Sequence, residues 1–344
     1  MLPRSVPARH LEPAGWQRAL QACVTDPAAL IEALRLGPEW LEPARKAAAK
    51  FPLRVPTSYL ARMRRGDPYD PLLRQVLPLG AELGDAPGYV ADPVGDLRAL
   101  GGPGLLQKYH GRALLIASGT CAVHCRYCFR REFPYSGQNA ARHAFAEALA
   151  AIRADTSIGE VLLSGGDPLT LGDRRLGALL RELDGIDHVR RVRIHTRLPV
   201  VLPERIDAGF LETWSPRLRV QRVIVLHANH ANEVRDAPDV RAALARLREN
   251  GTALLNQSVL LAGVNDSVEA LADLSERLFE HGALPYYLHV LDPVRGAAHF
   301  DVPELVARRL VAGLGERLPG YLVPRLVREV PGAPAKTMLP PASR

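Results

Sequence analysis

Disulfide scaffolds need cysteine, and this chain of 344 residues has only four. Membrane-spanning helices need an apolar run of roughly 18 residues or more, and no run here approaches that. The opening MLPRSVPARHLEPAGW lacks the apolar core of a secretory signal, so a cytoplasmic protein is expected. No internal repeat or low-complexity stretch occurs, which excludes solenoid and fibrous arrays. Lysine is scarce as well: of 44 basic residues only Lys46, Lys50, Lys108 and Lys336 are lysines, and arginine supplies the rest.

What is present is an ordinary globular composition, 47% hydrophobic and 24% charged. The length allows two average domains or one large α/β barrel. A net charge of +7, spread diffusely, suits a solvated surface or phosphorylated ligands, and nucleic acid is not expected as a partner.

Residues 14–80 read as helical, with Trp16, Leu20 and Cys23 on one face and Cys23 as a core residue. The stretch 84–104, GDAPGYVADPVGDLRALGGPG, reads as a loop or linker. Beyond it, apolar runs alternate with helical patterns: RALLIAS, EVLLSGG, VRIHT, VQRVIVLH, ALLNQSVLL and PYYLHVLD, separated by segments such as RRLGALLREL and VRAALARLREN. Six strand–helix alternations predict parallel βαβ units and an open or closed α/β barrel. Polar residues gather at the strand ends, the rim where such barrels bind ligands.

Three of the four cysteines, Cys121, Cys125 and Cys128, form C-x3-C-x2-C directly after the first strand. Three thiolates on a four-iron cluster leave one iron open. Structural zinc prefers a closed fourth position, and His124, adjacent to Cys125, is poorly placed to supply it. The spacing, with Tyr127 before the third cysteine, resembles the radical S-adenosylmethionine superfamily. That resemblance implies a [4Fe–4S] cluster whose open iron is chelated by S-adenosylmethionine. Gly165-Gly166-Asp167 matches the superfamily's short segment that contacts the cofactor's amino group.

Lys336 lies in PGAPAKT, a short run that reads as flexible. An amine forms an imine with pyridoxal phosphate and a guanidinium does not. Together with KYHGRALLIASGTCAVHCRYCFRREFPY, LLSGGDPL, RIHTRLPVVLPERI, LHANHANE, LLNQSVLLAGVND and PYYLHVLD, this segment resembles the lysine 2,3-aminomutase family. The helical N-terminal region, FRREFPY and PYYLHVLDPVRGAAHF resemble the family's branch that makes (R)-β-lysine for elongation factor P.

The resemblance implies an α/β fold, a radical SAM partial (β/α)6 barrel with a helical N-terminal region. Residues 1–104 would form that region and a linker, 105–330 the barrel, and 331–344 a C-terminal segment carrying the pyridoxal lysine. With eight residues after Lys336, the metal-binding extension of longer aminomutases is not expected. By position, Cys121, Cys125 and Cys128 hold the cluster and Lys336 holds pyridoxal phosphate. Tyr109, Arg112 and Arg197 contact pyridoxal phosphate, with Lys108 a further phosphate candidate. Arg130 takes the substrate carboxylate, and Asp292, assisted by Glu329, takes the side-chain ammonium; Glu329 stands where the metabolic aminomutases have aspartate. His227, His230 and Gln257 face S-adenosylmethionine, and Arg131 reads as a surface charge.

The implied reaction is isomerisation of L-lysine to (R)-β-lysine by an adenosyl-radical 1,2-amino shift. An external one-electron reductant would feed the cluster, and a separate ligase would attach the product to elongation factor P. The alternatives are an aminomutase for another amino acid and a basic RNA-modifying radical SAM protein.

Overall fold

A computed structural model describes residues 15–102, 104–137 and 145–342. Its frame is one sheet whose strands follow chain order. The short strands β1 (Leu100–Gly102) and β2 (Leu105–Leu106) lead in antiparallel. Then β3 (Arg112–Ser118), β4 (Glu160–Gly165), β5 (Arg191–Thr196), β6 (Gln221–His227), β7 (Ala253–Val259), β8 (Leu284–His289) and β9 (Arg325–Arg328) run parallel. Finally β10 (Thr337–Met338) turns back antiparallel on β9. The order ends at β1 and β10 without joining them, so the sheet is an open, partial barrel.

All six expected strands are there. The seventh parallel strand, β9, comes from YLVPRLVREV, whose four paired residues are too few to carry a period. The linker is less irregular than its Gly and Pro content implies: it ends in β1, on the edge of the sheet.

Helices α1 (Gly15–Gln21), α2 (Pro27–Ala33), α3 (Leu41–Lys50), α4 (Thr57–Leu60) and α5 (Pro71–Arg74) precede the sheet. On the crossovers lie α6 (Ala146–Ala154), α7 (Asp173–Asp184), α8 (Leu198–Val201), α9 (Ala208–Thr213), α10 (Pro238–Glu249), α11 (Val268–Glu280) and α12 (Glu304–Arg317). In α7, Leu176, Leu179, Leu180 and Leu183 fall at i, i+3, i+4 and i+7 and all are buried, the stripe a crossover helix lays on a sheet. Ser267 starts α11 by accepting the N–H of Ala270 at 3.1 Å.

One apolar core joins the N-terminal helices to the barrel, running from Trp16, Leu30 and Tyr59 through Leu115, Leu163 and Ile194. Cys23 is buried, as expected. Glu82, from the N-terminal region, pairs with Arg126 at 2.6 Å and Arg131 at 2.7 Å, next to the cysteines. Arg131 is therefore an almost fully buried anchor, against its reading as a surface charge. Among the described residues no helix is long and apolar enough to cross a membrane.

Candidate active site

The C-terminal ends of the parallel strands enclose a cavity of about 670 Å³, the usual position for a ligand in an α/β barrel. Cys121, Cys125 and Cys128 line it from the loop after β3, and Lys336 lines it from the turn before β10.

At the cysteine end, the glycine pair closing β4 has a steric reason. A Cβ on Gly165 would lie 2.4 Å from the Ser118 carbonyl oxygen, and one on Gly166 would lie 2.5 Å from that of Thr120. The cysteine loop rests its backbone directly on these residues, which only glycine allows. Asp167 accepts hydrogen bonds from Thr196 Oγ1 at 2.7 Å, Arg197 N at 2.7 Å and Leu169 N at 3.0 Å. Its carboxylate ties β4 to the end of β5, and burial pushes it up to about 6.

Arg197 lies at this end rather than beside Lys336. Its guanidinium donates to Cys125 Sγ and Tyr127 Oη, each at 2.8 Å, to Gln75 Oε1 at 2.9 Å and to Glu233 Oε2 at 2.7 Å. Expected as a pyridoxal contact, Arg197 lines the same cavity as Lys336 with its guanidinium engaged at the cysteine end. Asn229 Nδ2 donates to Tyr127 Oη at 2.7 Å, and His227 Nε2 lies 3.2 Å from the same oxygen. Burial, then the Arg197 cation, push His227 down to about 3, so it stays neutral. Gln257 lines the cavity on β7, paired in register with His227. His230 does not line the cavity: its Nδ1 accepts the Asn232 N–H at 3.1 Å and caps the turn Ala231–Glu233.

At the other end, β9 and β10 form a hairpin pairing Arg328 with Thr337, so Lys336 sits on a tied arm and not on a free tail. Its Nζ donates to Glu329 Oε2 at 2.7 Å, and Tyr109 Oη donates to Glu329 Oε1 at 2.6 Å. Against the upward push of burial, the Lys336 ammonium and these hydrogen bonds hold Glu329 below the usual carboxylate range. Burial pushes Asp292 up to about 7, with Lys336 pulling it down and Glu329 pushing it further up. Arg112 stacks on the Tyr109 ring, 5.3 Å from its centroid.

Arg130 is held by a residue that periodicity did not single out. Asp96, from the Gly/Pro linker, accepts Arg130 Nε and Lys108 Nζ, each at 2.6 Å. Arg130 Nη1 donates to Ser164 at 3.0 Å. Ion pairs and hydrogen bonds thus run from Arg130 through Asp96 and Lys108 to Glu329, where Lys108 Nζ is 3.6 Å from Oε1, and on to Lys336.

The radical SAM superfamily profile matches residues 115–275. An L-lysine 2,3-aminomutase from Escherichia coli K12 is 48% identical over 94% of this chain and 94% of its own length. One from Haemophilus influenzae is 43% identical over 95% and 96%. The chain belongs to the radical SAM lysine 2,3-aminomutase family. A third protein so named, from Clostridium subterminale, is 35% identical over 82% of this chain and 67% of that protein. Among solved structures, a radical SAM methyltransferase from Sphaerobacter thermophilus overlaps 65% of this chain and 68% of its own, at 20% identity and a TM-score of 0.44.

As a radical SAM enzyme the chain uses a [4Fe–4S] cluster and S-adenosylmethionine, and its cysteine loop fits them. His124 directs Nδ1 at the Pro52 carbonyl oxygen, 2.8 Å away, and stacks on Phe51, which removes that nitrogen as a fourth ligand. Three thiols facing one cavity suit a cluster with one iron left open. Burial and the neighbouring thiols push Cys121 up and Cys128 to about 11, so iron must displace their protons.

Proposed function

We propose that this family member converts L-lysine to (R)-β-lysine with pyridoxal phosphate on Lys336, in the cytoplasm, and that the product serves elongation factor P through a separate ligase. One observation carries the substrate reading: a guanidinium and a pair of carboxylates face one cavity, with the amine of Lys336 against one of those carboxylates.

Arg130 presents a fixed fork to an α-carboxylate, because Asp96 engages its Nε and Ser164 its Nη1. Asp292 and Glu329 offer two carboxylates to a side-chain ammonium. An anionic side chain beside them would be costly, which favours lysine over glutamate. When bound, S-adenosylmethionine at the cluster supplies a carbon radical, and pyridoxal phosphate supplies the carbonyl that carries the migrating nitrogen. Tyr109 and Glu329 orient the Lys336 amine, and Lys108 and Arg112 are the cations suited to a phosphate. The walls of the cavity keep water from the radical. Resemblance in FRREFPY and PYYLHVLDPVRGAAHF supports the elongation factor P assignment.

The test is an anaerobic assay of the iron-loaded chain with lysine, S-adenosylmethionine, pyridoxal phosphate and a reductant, resolved on a chiral column. (R)-β-Lysine is the expected product, and elongation factor P ligase should accept it. Turnover of arginine or glutamate in preference to lysine would reject the substrate reading; turnover without pyridoxal phosphate would reject the cofactor.

A further inference from the structure

Two histidines in the cavity are used by nothing described so far. His195 on β5 and His289 at the end of β8 both line it, yet Nε2 of each is closed off from solvent and makes no hydrogen bond. Buried polar atoms are almost always paired, and each exception calls for a partner missing from the free protein. Two such imidazoles in one cavity, on strands three positions apart in the sheet, point to one ligand between them.

Their surroundings narrow what that ligand presents. The Tyr287 ring meets His289 edge-on at 5.7 Å, and Lys336 Nζ lies 5.8 Å from the centroid of the same ring. Leu163 pairs with Ile194 across β4 and β5, so the next position sets His195 beside Ser164, the residue that accepts from Arg130. Both imidazoles are thus neighbours of the Lys336 and Arg130 end. Burial first, then the cations Arg193, Lys336 and Arg130 around His195 and Lys336 beside His289, hold both well below the usual imidazole range. A neutral imidazole offers one donor and one acceptor, but no charge.

Full anions already have better partners here. A phosphate suits Arg112 and Lys108, and a carboxylate suits Arg130. A pyridoxal ring also has a polar edge, its phenolic oxygen and its ring nitrogen, and the phenolic oxygen sits next to the carbon that takes the lysine amine. Pyridoxal enzymes commonly meet the ring nitrogen with a carboxylate. In this cavity Asp96 is held by Arg130 and Lys108, Asp167 by Thr196 and backbone N–H groups, and Glu329 by Lys336 and Tyr109. Asp292 lies beside Glu329 and Lys336, in the ammonium site.

We propose that His195 and His289 are positioning residues for the pyridoxal ring, hydrogen-bonding its polar edge as neutral imidazoles where a carboxylate would otherwise stand. The assignment rests on pyridoxal phosphate being held at Lys336. A neutral partner leaves the ring nitrogen without a proton donor of carboxylic type, which suits an enzyme that needs the ring to spread an unpaired electron and not to stabilise a carbanion.

The experiment titrates pyridoxal phosphate into the anaerobic full-length chain without lysine, following the visible band of the lysine-bound carbonyl. His195→Leu and His289→Leu should each weaken pyridoxal phosphate about tenfold, the size of one net hydrogen bond, and move the band, with S-adenosylmethionine affinity unchanged. His195→Gln and His289→Gln, which keep a polar tip, should recover part of the loss. Should a leucine variant not fold, nitrogen-15 spectra of histidine-labelled wild-type chain give the same answer: two imidazoles should shift on adding pyridoxal phosphate. Unmoved affinity and band, unmoved imidazole signals, or a loss confined to S-adenosylmethionine overturns the proposal. A wild-type chain that develops no visible band overturns the pyridoxal reading itself, a separate and recognisable failure.

Discussion

Lys336 Nζ lies 2.7 Å from Glu329 Oε2 across the turn between β9 and β10. The amine assigned to the cofactor and the carboxylate assigned to the substrate's ammonium are thus partners of each other in the free protein. A cation entering the site without the cofactor must displace Lys336. Lys336→Ala should therefore bind cadaverine, a diamine with no carboxylate, several-fold more tightly than wild type when pyridoxal phosphate is left out of both. Calorimetric titration measures this, and equal affinities would separate Lys336 from the ammonium site.

Asp292 gives a pH signature. Its carboxyl sits at about 7 in the fold against 3.8 for a free side chain. The folded state thus holds a proton that the unfolded state releases between those values, and this residue lowers stability as pH rises through that window. Without ligands, Asp292→Asn should melt higher than wild type at pH 8 and level with it below pH 3.8. Cation binding needs the ionised form, so lysine affinity should climb through pH 7 in wild type and stay flat in the variant.

Asp96 is shared by two largely buried cations. Asp96→Ala leaves Arg130 and Lys108 without their common anion, a change that typically costs about 3–5 kcal/mol. Urea unfolding should register it, and Lys108→Met in the same background should return part of the loss. A change under about 0.5 kcal/mol, the size of a surface substitution, would contradict the pairing.

The cysteine loop can be tested without touching a cysteine. Gly166→Ala drives a methyl toward the Thr120 carbonyl and should cost about 1–3 kcal/mol by overpacking, with reduced iron content after anaerobic reconstitution. His124→Ala, which removes a ring already turned to Pro52, should retain iron near the wild-type level. Iron loss in the histidine variant alone would bring back a fourth protein ligand.

Much of the frame was legible because parallel strands buried on both faces read as apolar runs, and RALLIAS became β3 residue for residue. Two- and four-residue strands such as β10 and β9 have no such signature. The cysteine spacing and the isolated lysine stood out because few residue types suit the chemistry each suggests, and the fold brings both to one cavity. Asp96, Gln75 and Glu233 were not, since their roles arise from partners 34, 122 and 36 residues away. Arg131 looked like solvent charge for the same reason: only the fold brings Glu82 to it. His230, a polar residue after a strand, caps a turn, a role such residues take as readily as ligand binding.

The hairpin that carries Lys336 has a further consequence for how the protein wears out. Arg325 and Arg328 lie on β9, upstream of the amine, and β10 pairs with that strand through Thr337 and Met338, with Leu339 N–H donating to Leu326 O just beyond them. A tryptic nick at Arg328 would cut the covering strand from the one it covers. Release of that strand would expose the edge of β9 to another chain and carry Lys336 out of the cavity, so damage to the edge and loss of the amine would be recorded by one peptide.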